Sequence, residues 1–208
     1  MKLHRFEHPD FTSNTYVLID KLSDEACLID IGEYTQTKKL LNRRKSVRAL
    51  LLTHAHYDHI YHINEFLKDH PDCCVYASHY TLQALGNPKL NLSFYHEDPV
   101  SYNGGGLIPV SNTDKLTLSP NLTVEVIATP GHTPGCHTYR IGHYLFTGDA
   151  YISGHKVVTK LKGGNKEEGA KSVAEIRKLL NPGTLLCPGH GSTYQITESN
   201  TLRGLLKL

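Results

Sequence analysis

Four side chains able to bind a metal ion fall within six residues in the segment Thr53-His54-Ala55-His56-Tyr57-Asp58-His59. Imidazole nitrogens and carboxylate oxygens are the donors that zinc and other first-row divalent cations take. Residues two apart share a side only on extended chain, so His54 and His56 face one ion if a strand runs out through them. Asp58 continues the alternation as the chain turns into a helix, and His59 on the first helical turn then faces a second ion beside the first. The competing reading makes His54 and His56 surface loop residues and Asp58 a helix N-cap, a role aspartate fills well.

Three more loops carry one candidate ligand each, beside glycine: Thr129-Pro130-Gly131-His132, Thr147-Gly148-Asp149 and Pro188-Gly189-His190-Gly191. Glycine permits tight turns and close approach to a crowded centre. Taken singly, each loop also reads as ordinary turn punctuation. Together with the first segment they supply five imidazoles, two carboxylates and no thiolate. That set suits two borderline-soft divalent ions with positions open to water and substrate, unlike a closed structural zinc.

The elements that must position these residues read as an alternation of strands and helices. Apolar runs at Asn14–Ile19 and 27–31, separated by the polar turn at 20–25, predict a hairpin. A short helix over 35–44 leads into the apolar run 47–52, typical of a strand buried on both faces. Ile60, Ile63 and Leu67 give the apolar stripe of a helix running from Asp58 to near Pro71. Residues 87–109, with two prolines and Gly104-Gly105-Gly106 before the third at Pro109, read as a lid joining two halves at about 1–100 and 110–208 of a single domain. Strands are expected at 116–118, Leu122–Ala128, His137–Ile141, 144–147 and 184–187, and a helix over 168–180. The pattern predicts an α/β sandwich.

Composition narrows the function classes. A net charge of +2 with dispersed basic residues gives no concentrated face for nucleic acid or an anionic membrane. No apolar run approaches the roughly 18 residues of a membrane span, and no secretory leader opens the chain. Five cysteines without C-x-x-C spacing fit a reducing, cytoplasmic setting. Fourteen histidines are what departs from the ordinary.

The ordered set His54-x-His56-x-Asp58-His59, Gly131-His132-Thr133-Pro134-Gly135, Thr147-Gly148-Asp149 and Pro188-Gly189-His190-Gly191 resembles the metallo-β-lactamase superfamily, and within it the glyoxalase II-like branch. The resemblance also takes in Asn14–Ile19 and Leu28-Ile29-Asp30-Ile31-Gly32. It implies a four-layer αββα sandwich, with one ion on His54, His56 and His132, a second on Asp58, His59 and His190, and Asp149 bridging them. Where the family commonly has small residues after the helix start, this chain has Tyr61 and His62. Cys136 stands where serine is frequent and reads as structural. The segment that contributes glutathione contacts in full-length glyoxalase II has no counterpart after His190.

The expected chemistry is hydrolysis of a small-molecule thioester, ester or lactone by a hydroxide bridging two divalent ions, zinc first and iron or manganese as alternatives, with Asp58 orienting the hydroxide and taking its proton. Lys160, Lys162 and Lys166 read either as a solvated run or as an attractant for an anionic substrate. The rival readings are an iron-dependent persulfide dioxygenase, a phosphodiesterase or RNA-processing nuclease, and a metal-binding protein without catalysis.

Overall fold

A computed structural model describes residues 1–42 and 46–201. In chain order the first half contains β1 (Lys2–Glu7), β2 (Asn14–Ile19), β3 (Glu25–Ile29), α1 (Thr35–Leu41), β4 (Ser46–Leu51), α2 (Tyr57–Ile60), α3 (Ile63–Asp69), β5 (Cys74–Ala77), α4 (His79–Leu85) and β6 (Leu107–Pro109). The second contains β7 (Lys115–Ser119), β8 (Leu122–Ala128), β9 (His137–Ile141), β10 (Tyr144–Gly148), α5 (Lys166–Leu179), β11 (Leu185–Pro188), β12 (Tyr194–Gln195) and α6 (Glu198–Thr201). Two six-stranded mixed sheets result, ordered β1-β2-β3-β4-β5-β6 and β12-β11-β10-β9-β8-β7.

Side-chain alternation along the strands divides the apolar residues among three cores, and this division makes four layers. Tyr16 and Leu18 of β2, Ala49 and Leu51 of β4, Val124 and Val126 of β8, and Phe146 of β10 meet between the sheets. Val17 and Ile19, the alternate residues of β2, face the other way and pack with Leu41, Ile63, Phe66 and Leu85 of the helices. Leu145 and Leu186 do the same on the outer face of the second sheet, against Ile176 and Leu180. The α/β sandwich and its αββα layering are therefore as expected.

Several elements depart from the expectation. The helix starting near Asp58 is broken at Tyr61 and His62 into α2 and α3. The His62 N–H donates to Ile31 O at 3.1 Å, and the Asp58 carbonyl that a continuous helix would use accepts from Ser13 Oγ at 2.7 Å. His56, extended at ψ 148°, precedes the first turn of α2, so Asp58 is not its N-cap. The strand expected to reach residue 31 ends at Ile29, because Asp30 takes a left-handed φ of 56°. Helix α1 stops at Leu41, and the remainder of its expected span meets residues 43–45, which lie outside the described residues.

Residues 87–109 are less free than their composition suggests. Asn91 Nδ2 donates to Val100 O at 2.9 Å, Ser93 Oγ accepts from Val100 N, and residues 107–109 form β6, paired in parallel with β5. The first sheet thus extends to Pro109. Among the described residues no helix is long and apolar enough to cross a membrane.

Candidate metal centre

Each sequence-predicted ligand sits just beyond the C-terminal end of a strand, or on the turn that follows it. His54 and His56 follow β4, with Asp58 and His59 on α2; His132 follows β8, Asp149 follows β10, and His190 follows β11. Backbone bonds between these ends hold them in register: His137 N–H to Thr53 O at 2.9 Å, Gly189 N–H to Gly148 O at 2.9 Å, and Asn14 N–H to Gly189 O at 2.7 Å. All seven side chains converge. One donor atom from each of His54, His56 and His132 lies within 4.8 Å of the other two, and the same holds for Asp58, His59 and His190 and for His54, His59 and Asp149.

The outer ring nitrogens explain the orientation of the inner ones. Nδ1 of His59 donates to Asp30 Oδ2 at 2.9 Å, since an ionised carboxylate can only accept. Nδ1 of His132 likewise donates to the Val158 carbonyl at 2.7 Å. Thr53 donates its hydroxyl to Asp30 at 2.7 Å, which leaves its oxygen to accept from Nδ1 of His54 at 3.1 Å. His190 Nδ1 meets Thr12 Oγ1 at 3.1 Å. In the neutral rings of His54, His59 and His132 the Nε2 atom therefore carries a lone pair, and it points inward.

Those inward atoms are short of partners. Nε2 of His54 and of His59 and Oδ1 of Asp149 are buried and form no hydrogen bond. Nε2 of His132 accepts from Nδ1 of His56 at 2.9 Å, which leaves Nε2 of His56 buried and without a partner. Asp149 stands between the two triads, with Oδ2 3.6 Å from His132 and 3.5 Å from His190, and Oδ1 3.5 Å from His59. Asp58 Oδ2 lies 3.2 Å from Nε2 of His190 and 3.5 Å from that of His59. Among the described residues no lysine or arginine pairs with either carboxylate. Buried acceptors left unbonded cost about 1–3 kcal/mol each, so such a cluster fits a cation of compensating charge.

The protonation energetics agree. Burial, then the neighbouring histidines, hold His54 well below the ordinary imidazole range, and burial with His132 pushes His56 down to about 3. Burial opposes ionisation of Asp149, but His59, His132 and His190 outweigh it and hold the carboxyl well below the usual range. Burial also opposes a charged His59, and Asp58, Asp149 and Asp30 overcome it and raise its pKa. Asp58 and Asp149 likewise raise His190 against its own burial.

Two glycines matter through space. A Cβ at Gly189 would overlap Asp149 Oδ1 and sit 2.9 Å from His59 Cε1. Gly131, at φ 135°, lets the His132 loop lie against the backbone of Gly169 in α5.

The sequence reading passed over the supports Asp30, Thr53, Thr12 and Val158 as site residues. Asp30 stood in the sequence only as part of the Leu28-Ile29-Asp30-Ile31-Gly32 stretch that carries the resemblance, with no role attached to it. His62 does not reach the cluster: its Nδ1 donates to Gly32 O at 2.6 Å, and its ring lies 5.9 Å from that of His8. Cys136 Sγ accepts from Thr133 N at 3.3 Å, and burial pushes its thiol up to about 12, as befits a structural residue. All five cysteines are free.

Residues 8–198 match the family described as the metallo-beta-lactamase superfamily. The chain belongs to that superfamily. Among relatives, a probable metallo-hydrolase of Bacillus subtilis, YqgX, is 31% identical over 96% of this chain and 95% of its own. A hydroxyacylglutathione hydrolase of Tolumonas auensis is 29% identical over 87% of this chain, which spans 63% of that relative. Among solved structures of the superfamily, the B3 metallo-beta-lactamase BLEG-1 superposes with a TM-score of 0.85 at 26% identity, covering 100% of both chains.

Proposed function

We propose that this chain is a dinuclear metal-dependent hydrolase, zinc being the resident metal, that cleaves a small-molecule thioester, ester or lactone in the manner of glyoxalase II. The observation that carries the reading is the convergence of buried, unpartnered nitrogen and oxygen donors with no lysine or arginine among the described residues to balance the two carboxylates. His54, His56 and His132 would hold one ion and Asp58, His59 and His190 the other, with Asp149 between them. Divalent cations held this way supply Lewis acidity and lower the pKa of bound water from 15.7 to about 7.

The chain's own residues do the rest. Asp58 lines a cavity of about 210 Å³ together with His56, and it would orient the attacking water and accept its proton. Phe11, Leu92 and Leu161 give that cavity apolar walls, and the His96 ring stacks on Tyr57 at 3.9 Å beside them. Such walls exclude water and receive the acyl part of a substrate. The YqgX and hydroxyacylglutathione hydrolase likenesses support hydrolysis, and the BLEG-1 likeness adds a β-lactam to the substrates worth testing.

Metal analysis of the purified protein, coupled to a screen of thioesters, lactones, phosphoesters and a β-lactam, tests the reading. Two zinc ions per chain and thioester turnover unaffected by removing oxygen are expected. Iron in the site with oxygen-dependent loss of a persulfide would replace the hydrolase by a dioxygenase.

A further inference from the structure

The lysine-rich loop reaches a second cavity. Lys160 and Lys166 line this cavity, of about 790 Å³, which shares no residue with the one beside Asp58. Its walls are Tyr151, residues 155–160 and one face of α5. We infer that this second cavity is a binding site for a small organic anion carrying an apolar body, and that its occupancy is transmitted to His132 through Val158.

Charge gives the first argument. Lys156, Lys160, Lys166 and Arg177 all line the cavity, and among the described residues no aspartate or glutamate does. None of the four forms an ion pair or side-chain hydrogen bond with a described residue, whereas the neighbouring Lys178 pairs with Glu175 at 2.6 Å. Nε of Arg177 is buried and unpartnered, so the guanidinium is held partly out of water without a counter-charge. An anion would supply one.

Shape gives the second. Gly169 and Ala170 lower the helix surface facing the segment, and Val158 and Val173 provide apolar wall. A bare phosphate would leave this part empty, so the fitting ligand pairs a carboxylate or phosphate with a hydrocarbon body. Residues 155–161 partition the two cavities, because Leu161 borders the first and Lys160 the second. Val158 belongs to the second cavity's lining, and its carbonyl fixes the His132 ring at 2.7 Å. A ligand pressing on Val158 therefore moves the partner of a cluster histidine without competing for the space beside Asp58.

Nuclear magnetic resonance on the ¹⁵N-labelled zinc-loaded chain tests this with three probes: octanoate, inorganic phosphate and octylamine. Octanoate should give saturable shifts at amides 156–160 and 169–177 together with a shift of the His132 ring nitrogens. Phosphate should bind at least about tenfold more weakly, and octylamine should leave these amides unmoved. Arg177→Glu should weaken octanoate about tenfold, and so should Lys160→Glu, whose exposed loop position spares the fold; Lys178→Glu should leave the affinity unchanged. Shifts confined to the ligand histidines, equal affinity in both cavity variants, or equal response to octylamine would overturn the site. Binding without any change at His132 would overturn the coupling. The amide readout stands whether or not the chain hydrolyses a thioester, so failure here and failure of the hydrolase reading are separate results.

Discussion

Four of the five cluster histidines have an outer ring nitrogen fixed by a partner, Thr53, Asp30, Val158 or Thr12, and the cluster grows from the strand ends of both sheets. The cavity above them is lined differently. Phe11, Leu92, His96 and Leu161 come from three separate loops, and Leu161 is 42% exposed. The contrast separates two tasks. A metal floor demands fixed distances, so four of its histidines are held from behind; a substrate rim demands shape, which loops can change without disturbing the floor.

Breaking the floor at its centre should have the largest effect. Asp149→Ala removes the carboxylate shared by both triads and should lower turnover on the order of 10³-fold, with metal content falling from two ions to one or none by mass spectrometry under native conditions. A wild-type metal content in that variant would contradict the floor as drawn. Asp30→Asn leaves all seven ligands in place but weakens the hold on His59 and Thr53. Metal affinity should fall about 10- to 100-fold in a chelator competition, with the fold retained by circular dichroism.

The rim should respond more weakly and in another parameter. Phe11→Ala and Leu161→Ala should raise KM about 3- to 10-fold while metal content stays at two, as expected of apolar binding surface outside the chemistry. A rim variant that lost metal would erase the distinction.

A histidine buried away from the cluster sharpens the comparison further. His137 at the start of β9 is buried with Nδ1 unbonded, and burial pushes it down to about 4 against the opposing pull of Asp114. Its folded form resists a proton that the unfolded chain accepts near 6.5. Its contribution to stability is therefore complete above that pH and declines as pH falls toward 4, by about 1 kcal/mol between pH 6.5 and 5.5. The pH dependence of the urea midpoint should be shallower in His137→Phe than in wild type by that amount; parallel curves would mean that the ring carries no such penalty.

The candidate ligands were legible in the sequence because they follow local rules: four donors within six residues from His54 to His59, and one donor beside glycine after an apolar run at His132, Asp149 and His190. The α/β sandwich followed from the order of strands and helices, and its four layers from the family resemblance. What escaped depends on contacts far apart in the chain. Asp30 reaches His59 only because a left-handed backbone turns it back toward β4, and Thr12 meets His190 across 178 positions. The break between α2 and α3 has the same origin, since Ser13 and Ile31 take the hydrogen bonds a continuous helix would have used. Short or exposed elements gave little periodicity to read: β5 has four residues, and β1 alternates between exposed and half-buried positions. The lysine loop was legible as charge, but the side of the 155–161 segment it faces was not.

Anomalous diffraction from crystals of the protein purified with its own metal addresses the central claim most directly. Two peaks are predicted, one among His54, His56 and His132 and one among Asp58, His59 and His190, with Asp149 contacting both. A single peak, or peaks away from these side chains, would contradict it.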